Sequence, residues 1–74
     1  MDRQYYICIE DKGTGAVTLI GRNATGAPWP SEGNARSAGI TIDKKHGAEV
    51  FTSIVIQYVD NAGRVIDTAR AWLD

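Results

Sequence analysis

The sequence predicts a small antiparallel all-β domain of four to five strands, a barrel or a sandwich, with one long loop at about residues 21–37. Three observations point there. The longest apolar run is Val50-Phe51-Thr52-Ser53-Ile54-Val55-Ile56-Gln57-Tyr58-Val59, and six of its ten residues are β-branched. Branching at Cβ restricts χ1 in a helix but suits a pleated, packed surface. Shorter runs of the same character lie on either side of it. Between them, aspartate followed within a few residues by glycine recurs three times, and that pairing is turn chemistry.

In chain order, Gln4–Glu10 is expected as the first strand, with Tyr5, Ile7 and Ile9 on one face and Tyr6, Cys8 and Glu10 on the other. Asp11-Lys12-Gly13-Thr14-Gly15 supplies a turn, and Ala16–Ile20 resumes the β-rich pattern, so the two runs form a hairpin. From Gly21 to Ser37 the pattern stops; three glycines and both prolines fall in this stretch. A loop of that length inside a compact domain is usually functional or mobile. Ser31 is a candidate cap for a short helical turn through Arg36, an idea that Gly33 weakens.

Ile40-Thr41-Ile42 alternates as a short strand, Asp43–Gly47 reads as a turn, and the central strand begins at about Glu49. That strand is apolar on both faces, with Val50, Ile54, Ile56 and Tyr58 on one and Phe51, Val55 and Val59 on the other. Such strands are central or lie at an interface. Asp60-Asn61-Ala62-Gly63 closes a further hairpin. The C-terminal segment admits two readings. A strand over residues 64–73 is preferred, although it sets Asp67 awkwardly among apolar neighbours. A helix from about residue 62 would instead align Val65, Ile66, Ala69, Trp72 and Leu73. That alternative is an α+β fold, its C-terminal helix packed on a four-stranded antiparallel sheet.

Seventy-four residues make a single small domain, 1–74. A chain of this size buries only about 60% of its unfolded surface, and association of copies is a common remedy, so a homo-oligomer is among the expectations. Eight basic residues stand against nine acidic ones. Nucleic-acid affinity draws on an excess of cations, so a nucleic-acid partner is disfavoured. The single cysteine rules out an internal disulfide framework, and no apolar stretch approaches a signal core or a membrane span. The expected setting is a soluble cytoplasmic protein.

No arrangement of residues predicts catalysis, a cofactor or a metal. Cys8, between Ile7 and Ile9, reads as a buried structural thiol, and His46, beside two lysines, as a solvated turn residue. One cysteine and one histidine do not make a tetrahedral metal site. Gly13-Thr14-Gly15 is too short to cradle a phosphate, and Asp60–Gly63 lacks the later ligands of a calcium loop. The expectation is therefore a protein that is not an enzyme.

Ala27-Pro28-Trp29-Pro30 is the stretch of interest. Prolines on both sides present the indole with little freedom left to lose, and tryptophan with arginine is the composition of interface hot spots. Arg22, Pro28, Trp29, Pro30 and Arg36 are thus the candidate partner-binding residues. For Trp29 itself the preferred reading is a plug for the open end of the core, with partner contact as the alternative, and Trp72 is read as core. The first functional expectation is stoichiometric protein–protein contact, as in the inhibitors and modulators of host machinery that phages and mobile elements encode. The second is a single-stranded nucleic-acid binder using Tyr6, Arg64 and Arg70. A self-associating structural subunit is the third. On the contact reading, Trp29→Ala weakens partner binding and leaves the melting temperature almost unchanged.

Overall fold

The computed structural model describes residues 2–73. Strands β1 (Asp2–Asp11) and β2 (Val17–Ile20) precede a helix, α1 (Glu32–His46); a single 3-10 turn (Gly47–Glu49) then leads into β3 (Val50–Val59) and β4 (Val65–Trp72). The strands form one sheet in the order β2-β1-β3-β4, every neighbouring pair antiparallel. β1 and β3 are its centre, paired from Asp2↔Val59 to Asp11↔Val50. With α1 packed across one face, the fold is α+β.

The strands expected at Gln4–Glu10, Ala16–Ile20, from about Glu49 to Val59 and over residues 64–73 form, and both outer hairpins close through the same chemistry. The Asp11 carboxylate accepts from the Thr14 and Gly13 amides at 2.9 and 2.8 Å. Asp60 Oδ1 accepts from the Arg64 and Ala62 amides at 2.9 Å each, and its Oδ2 from Arg64 Nε at 3.1 Å. Each aspartate thus satisfies turn amides that lie outside the sheet ladder.

Three expectations are corrected. The all-β assignment gives way because residues 32–46 are helical, so the irregular stretch that starts at Gly21 ends at Ser31 and not at residue 37. The strand expected at Ile40-Thr41-Ile42 and the turn expected at Asp43–Gly47 are the later turns of α1 and its end. Ser31 caps the helix, accepting from the Asn34 amide at 3.1 Å, and Gly47 closes it with φ 66°, its N–H donating to the Asp43 carbonyl. The α+β alternative holds as a class, but its helix lies at residues 32–46 and not at the C-terminus. Residues 65–72 are a strand paired with β3; Asp67 keeps the alternation of Ala69 and Ala71 but is exposed, and a bulge lies between it and the turn. Tyr58 pairs with Asp67 and Val59 with Val65, which leaves Ile66 without a partner.

Why the helix forms despite three consecutive β-branched residues is a question of packing. Its inward side is small, with Ala35 and Gly39 buried, and it seats on Ile7 and Ile54, a cross-strand pair. Ala35, Ile7 and Ile54 are each 0% exposed. A Cβ on Gly39 would stand 2.7 Å from Leu73 Cδ1 and 3.4 Å from Ile54 Cδ1. A side chain here would have to push aside the ends of Leu73 and then Ile54, so glycine gives the closest seat. Thr52 Oγ1 donates to Asp43 Oδ1 at 2.7 Å, which ties the last turns of the helix to β3. Burial outweighs intrinsic propensity here. Among the described residues no helix is long and apolar enough to cross a membrane.

Gly39→Val is expected to destabilise the fold by about 2 kcal/mol through overpacking, read as a lower urea midpoint at unchanged m value. Acid should act through the hairpins. Hydrogen bonds from the Arg64 and then the Ala62 amide hold the Asp60 carboxyl below its usual range, and those from Thr14 and Gly13 do the same at Asp11. A depressed carboxyl contributes stability above its unfolded pKa, and that contribution is lost as the pH falls below about 4. Asp60→Asn should therefore lose less stability than the wild type between pH 5 and the acid limit in a chemical-denaturation series.

Candidate functional site

Two surfaces bring candidate residues together. The first is a cleft between the 21–31 stretch and α1. Its backbone is set by Gly21, where any Cβ would collide with the Ala27 carbonyl and Gly26 backbone, and by the Arg22 amide donating to the Ala27 carbonyl at 2.9 Å. Asn23 Oδ1 gathers the Thr25 amide and hydroxyl. The chain then returns to the free edge of β1, where the Trp29 amide donates to the Tyr5 carbonyl at 2.8 Å as a single bridge.

Trp29 is half-buried. Its Nε1 donates to the Ile20 carbonyl at 3.1 Å, and its ring packs against the Ile7–Ala35–Ile54 cluster. The side chain is thus placed as a plug against the core, the arrangement in which its removal costs stability. The cleft beside it, about 460 Å3 and open to solvent, is lined by Arg22, Trp29 and Pro30 with Asn34, Ser37, Ala38 and Thr41 of α1. Of the five predicted contact residues it unites three. Pro28 is half-buried outside the lining, and Arg36 pairs with Glu32 at 3.5 Å along the helix. Arg22 makes no side-chain hydrogen bond or ion pair among the described residues.

The second surface is the face of the sheet turned away from α1. Side-chain alternation sends Tyr5, Ile7, Ile9, Ile54 and Ile56 toward the helix and the intervening residues to the other side. No segment of the described chain covers that side. Register assembles it into rows: Val17, Glu10 and Phe51; then Leu19, Cys8, Ser53 and Trp72; then Tyr6, Val55 and Arg70. Val17 is 54% exposed, Leu19 49%, Phe51 41% and Trp72 51%. The expectation that Trp72 belongs to the core is corrected on this point.

The rings on this face carry cations. Lys12 Nζ lies 4.6 Å from the Phe51 ring centroid, and the Arg70 guanidinium 4.7 Å from that of Trp72. Phe51 and Trp72 meet edge to face at 6.2 Å. Arg70 also reaches over β3 to donate to Cys8 Sγ at 2.9 Å. It makes no ion pair among the described residues. Cys8, Ser53 and Val55 are buried on this otherwise open face, and Ser53 Oγ has no hydrogen-bond partner among the described residues.

Of the residues expected for single-strand binding, Tyr6 and Arg70 share one row, flanking Val55. Arg64 does not join them, being held by Asp60 in the β3–β4 turn. Phe51, Trp72 and Lys12 were not singled out from the sequence for this face. The signal was present in the two-sided apolar pattern of residues 50–59, since one helix covers only one side. Cys8 and His46 lie on opposite sides of the sheet and do not form a pair. Among the described residues no three His, Cys, Asp or Glu side chains are grouped closely enough to hold a metal ion. Comparison with protein-family models, with curated proteins and with solved structures finds no match.

Trp29→Ala is expected to destabilise the domain by about 2–3 kcal/mol, below the cost of a fully buried tryptophan because the ring is only half-covered. Trp29→Phe should recover most of that loss and retain a deficit of about 1 kcal/mol for the indole hydrogen bond. Thermal and urea melts of the two variants decide it.

Proposed function

We propose that this chain is a non-enzymatic binding module that acts by stoichiometric contact, and that the contact surface is the sheet face opposite α1. One observation carries the reading: four large apolar side chains, Val17, Leu19, Phe51 and Trp72, stand exposed together where a sheet of this kind would otherwise be covered. Contiguous exposed apolar surface of that kind marks interaction sites. Its composition supports the same reading, because tryptophan and arginine are the residues that dominate the energetic centres of interfaces.

A second reading places protein contact at the cleft. It is favoured by the unpaired Arg22 beside Trp29 and Pro30, and by Lys45, which helical spacing from Asn34, Ala38 and Thr41 sets on the same side of α1. An acidic partner segment would fit there.

Site-specific photo-crosslinking in the native host separates the two. A photoreactive residue at Leu19 is expected to capture a macromolecule, and one at Ile40, exposed on α1, to capture none. Capture at Ser37 and not at Leu19 would favour the cleft. No capture from Leu19, or equal capture from Leu19 and Ile40, would end the sheet-face reading.

A further inference from the structure

We infer that the partner of the open sheet face is a single-stranded nucleic acid, a proposal that rests on that face being the contact surface. Three properties of the face select this ligand class. It presents aromatic rings, Tyr6, Phe51 and Trp72, in three successive cross-strand rows. Same-face rows repeat every two residues, about 6.7 Å, which is twice the ~3.4 Å rise of stacked bases in a duplex. Bases laid on these rows would therefore be separated from one another and stacked on protein, the arrangement by which proteins hold single strands.

The cations sit with the rings. Arg70 overlies Trp72 and Lys12 overlies Phe51, so charge for the backbone and stacking surface for the bases come from the same places. The Arg70 guanidinium adds a planar stacking surface of its own. Among the described residues its one hydrogen bond goes to a thiol, a weak acceptor, so most of its five donors have no described partner. A phosphate is a far better acceptor. Of the acidic side chains on this face, Glu10 stands in the Phe51 row and Asp2 at the far end of β1, so the Arg70 row holds no carboxylate. The overall balance of eight basic to nine acidic residues is thus compatible with a cationic row at Arg70.

A second copy of the chain fits less well. Strands of 10, 4, 10 and 8 residues give a face of about 500 Å2, well short of the roughly 800 Å2 per partner of a stable interface, so a symmetric sandwich would be small. That sandwich would bury two Arg70 guanidinia in one layer with no carboxylate in their row, an arrangement that desolvates like charges together. An anionic partner removes the conflict.

The test is fluorescence anisotropy with labelled single-stranded oligonucleotides of about 12 nucleotides, alongside the matching duplex. The single strand is expected to bind more tightly than the duplex. With two cations on the face, log K should fall against log salt with a slope of about −1.4, roughly sevenfold between 50 and 200 mM. Lys12→Gln should lower that slope to about −0.7. Trp72→Leu, at an exposed position, should weaken binding about tenfold, the loss of one base stack, with circular dichroism showing the fold retained. Absence of binding at 50 mM salt overturns the inference, as does binding that neither variant changes. A dimer resistant to dilution whose association is lost in Trp72→Leu would give the face to a second copy. Protein-only crosslinks from Leu19 would give it to another protein. Both outcomes overturn the nucleic-acid assignment and leave the contact-surface reading standing.

Discussion

The structure depends on how closely one helix can lie on four strands. Ala35 and Gly39 give α1 a side without bulk, and the Ile7–Ile54 pair rises into the space that this leaves. Leu73 closes the same contact from beyond β4. Dispersion and hydrophobic burial both fall off steeply with separation, so a helix held even slightly further away would gain little of either. The rest of the chain serves this contact. The Asp43–Thr52 hydrogen bond fixes one end of the helix against the sheet, and Trp29 fills the side that the short β2 leaves open.

Covering one face leaves the other to manage its own contact with water. It does so through Arg70, whose aliphatic stem and guanidinium extend over β3 as far as Cys8, so that Cys8, Ser53 and Val55 are buried without a second layer. Long cationic side chains shield apolar surface in this way while keeping their charge hydrated. Among the described residues the shield is held by one hydrogen bond to sulfur and by the Trp72 ring. Neither is strong enough to make it permanent. The group that makes the uncovered face tolerable is therefore also the first that an approaching ligand would meet.

Most of the sheet was legible. Residues 50–59 show their strand in β-branching and their central position in having no polar side, and the hairpins follow from aspartate and glycine at the turns. The helix was not legible from periodicity, because its buried side is built of Ala35, Gly39 and Ile42, two of them too small to register as apolar. Ile40-Thr41-Ile42 then imitated a strand. End signals were present, with Ser31 at the start and Lys44-Lys45-His46 before Gly47 at the finish, and reading them as a pair would have bounded the helix. At the candidate site, Tyr6 and Arg70 could be anticipated, whereas Trp72 could not. Which side of a strand is left bare depends on how many covering elements the chain supplies, and that count changed once residues 32–46 proved helical.

The bridge between Trp29 and Tyr5 divides the longest connection into two parts with different duties. Residues 28–31 carry load, since the plug and the helix cap both depend on them. Residues 23–26 carry none; they are exposed, and they are closed on themselves by Asn23. Extra chain spliced in at that tip would leave the plug and the cap in register, and it would project beside the helix, clear of the aromatic rows. The tip is thus the natural place for an epitope or a dye when both principal faces must stay free.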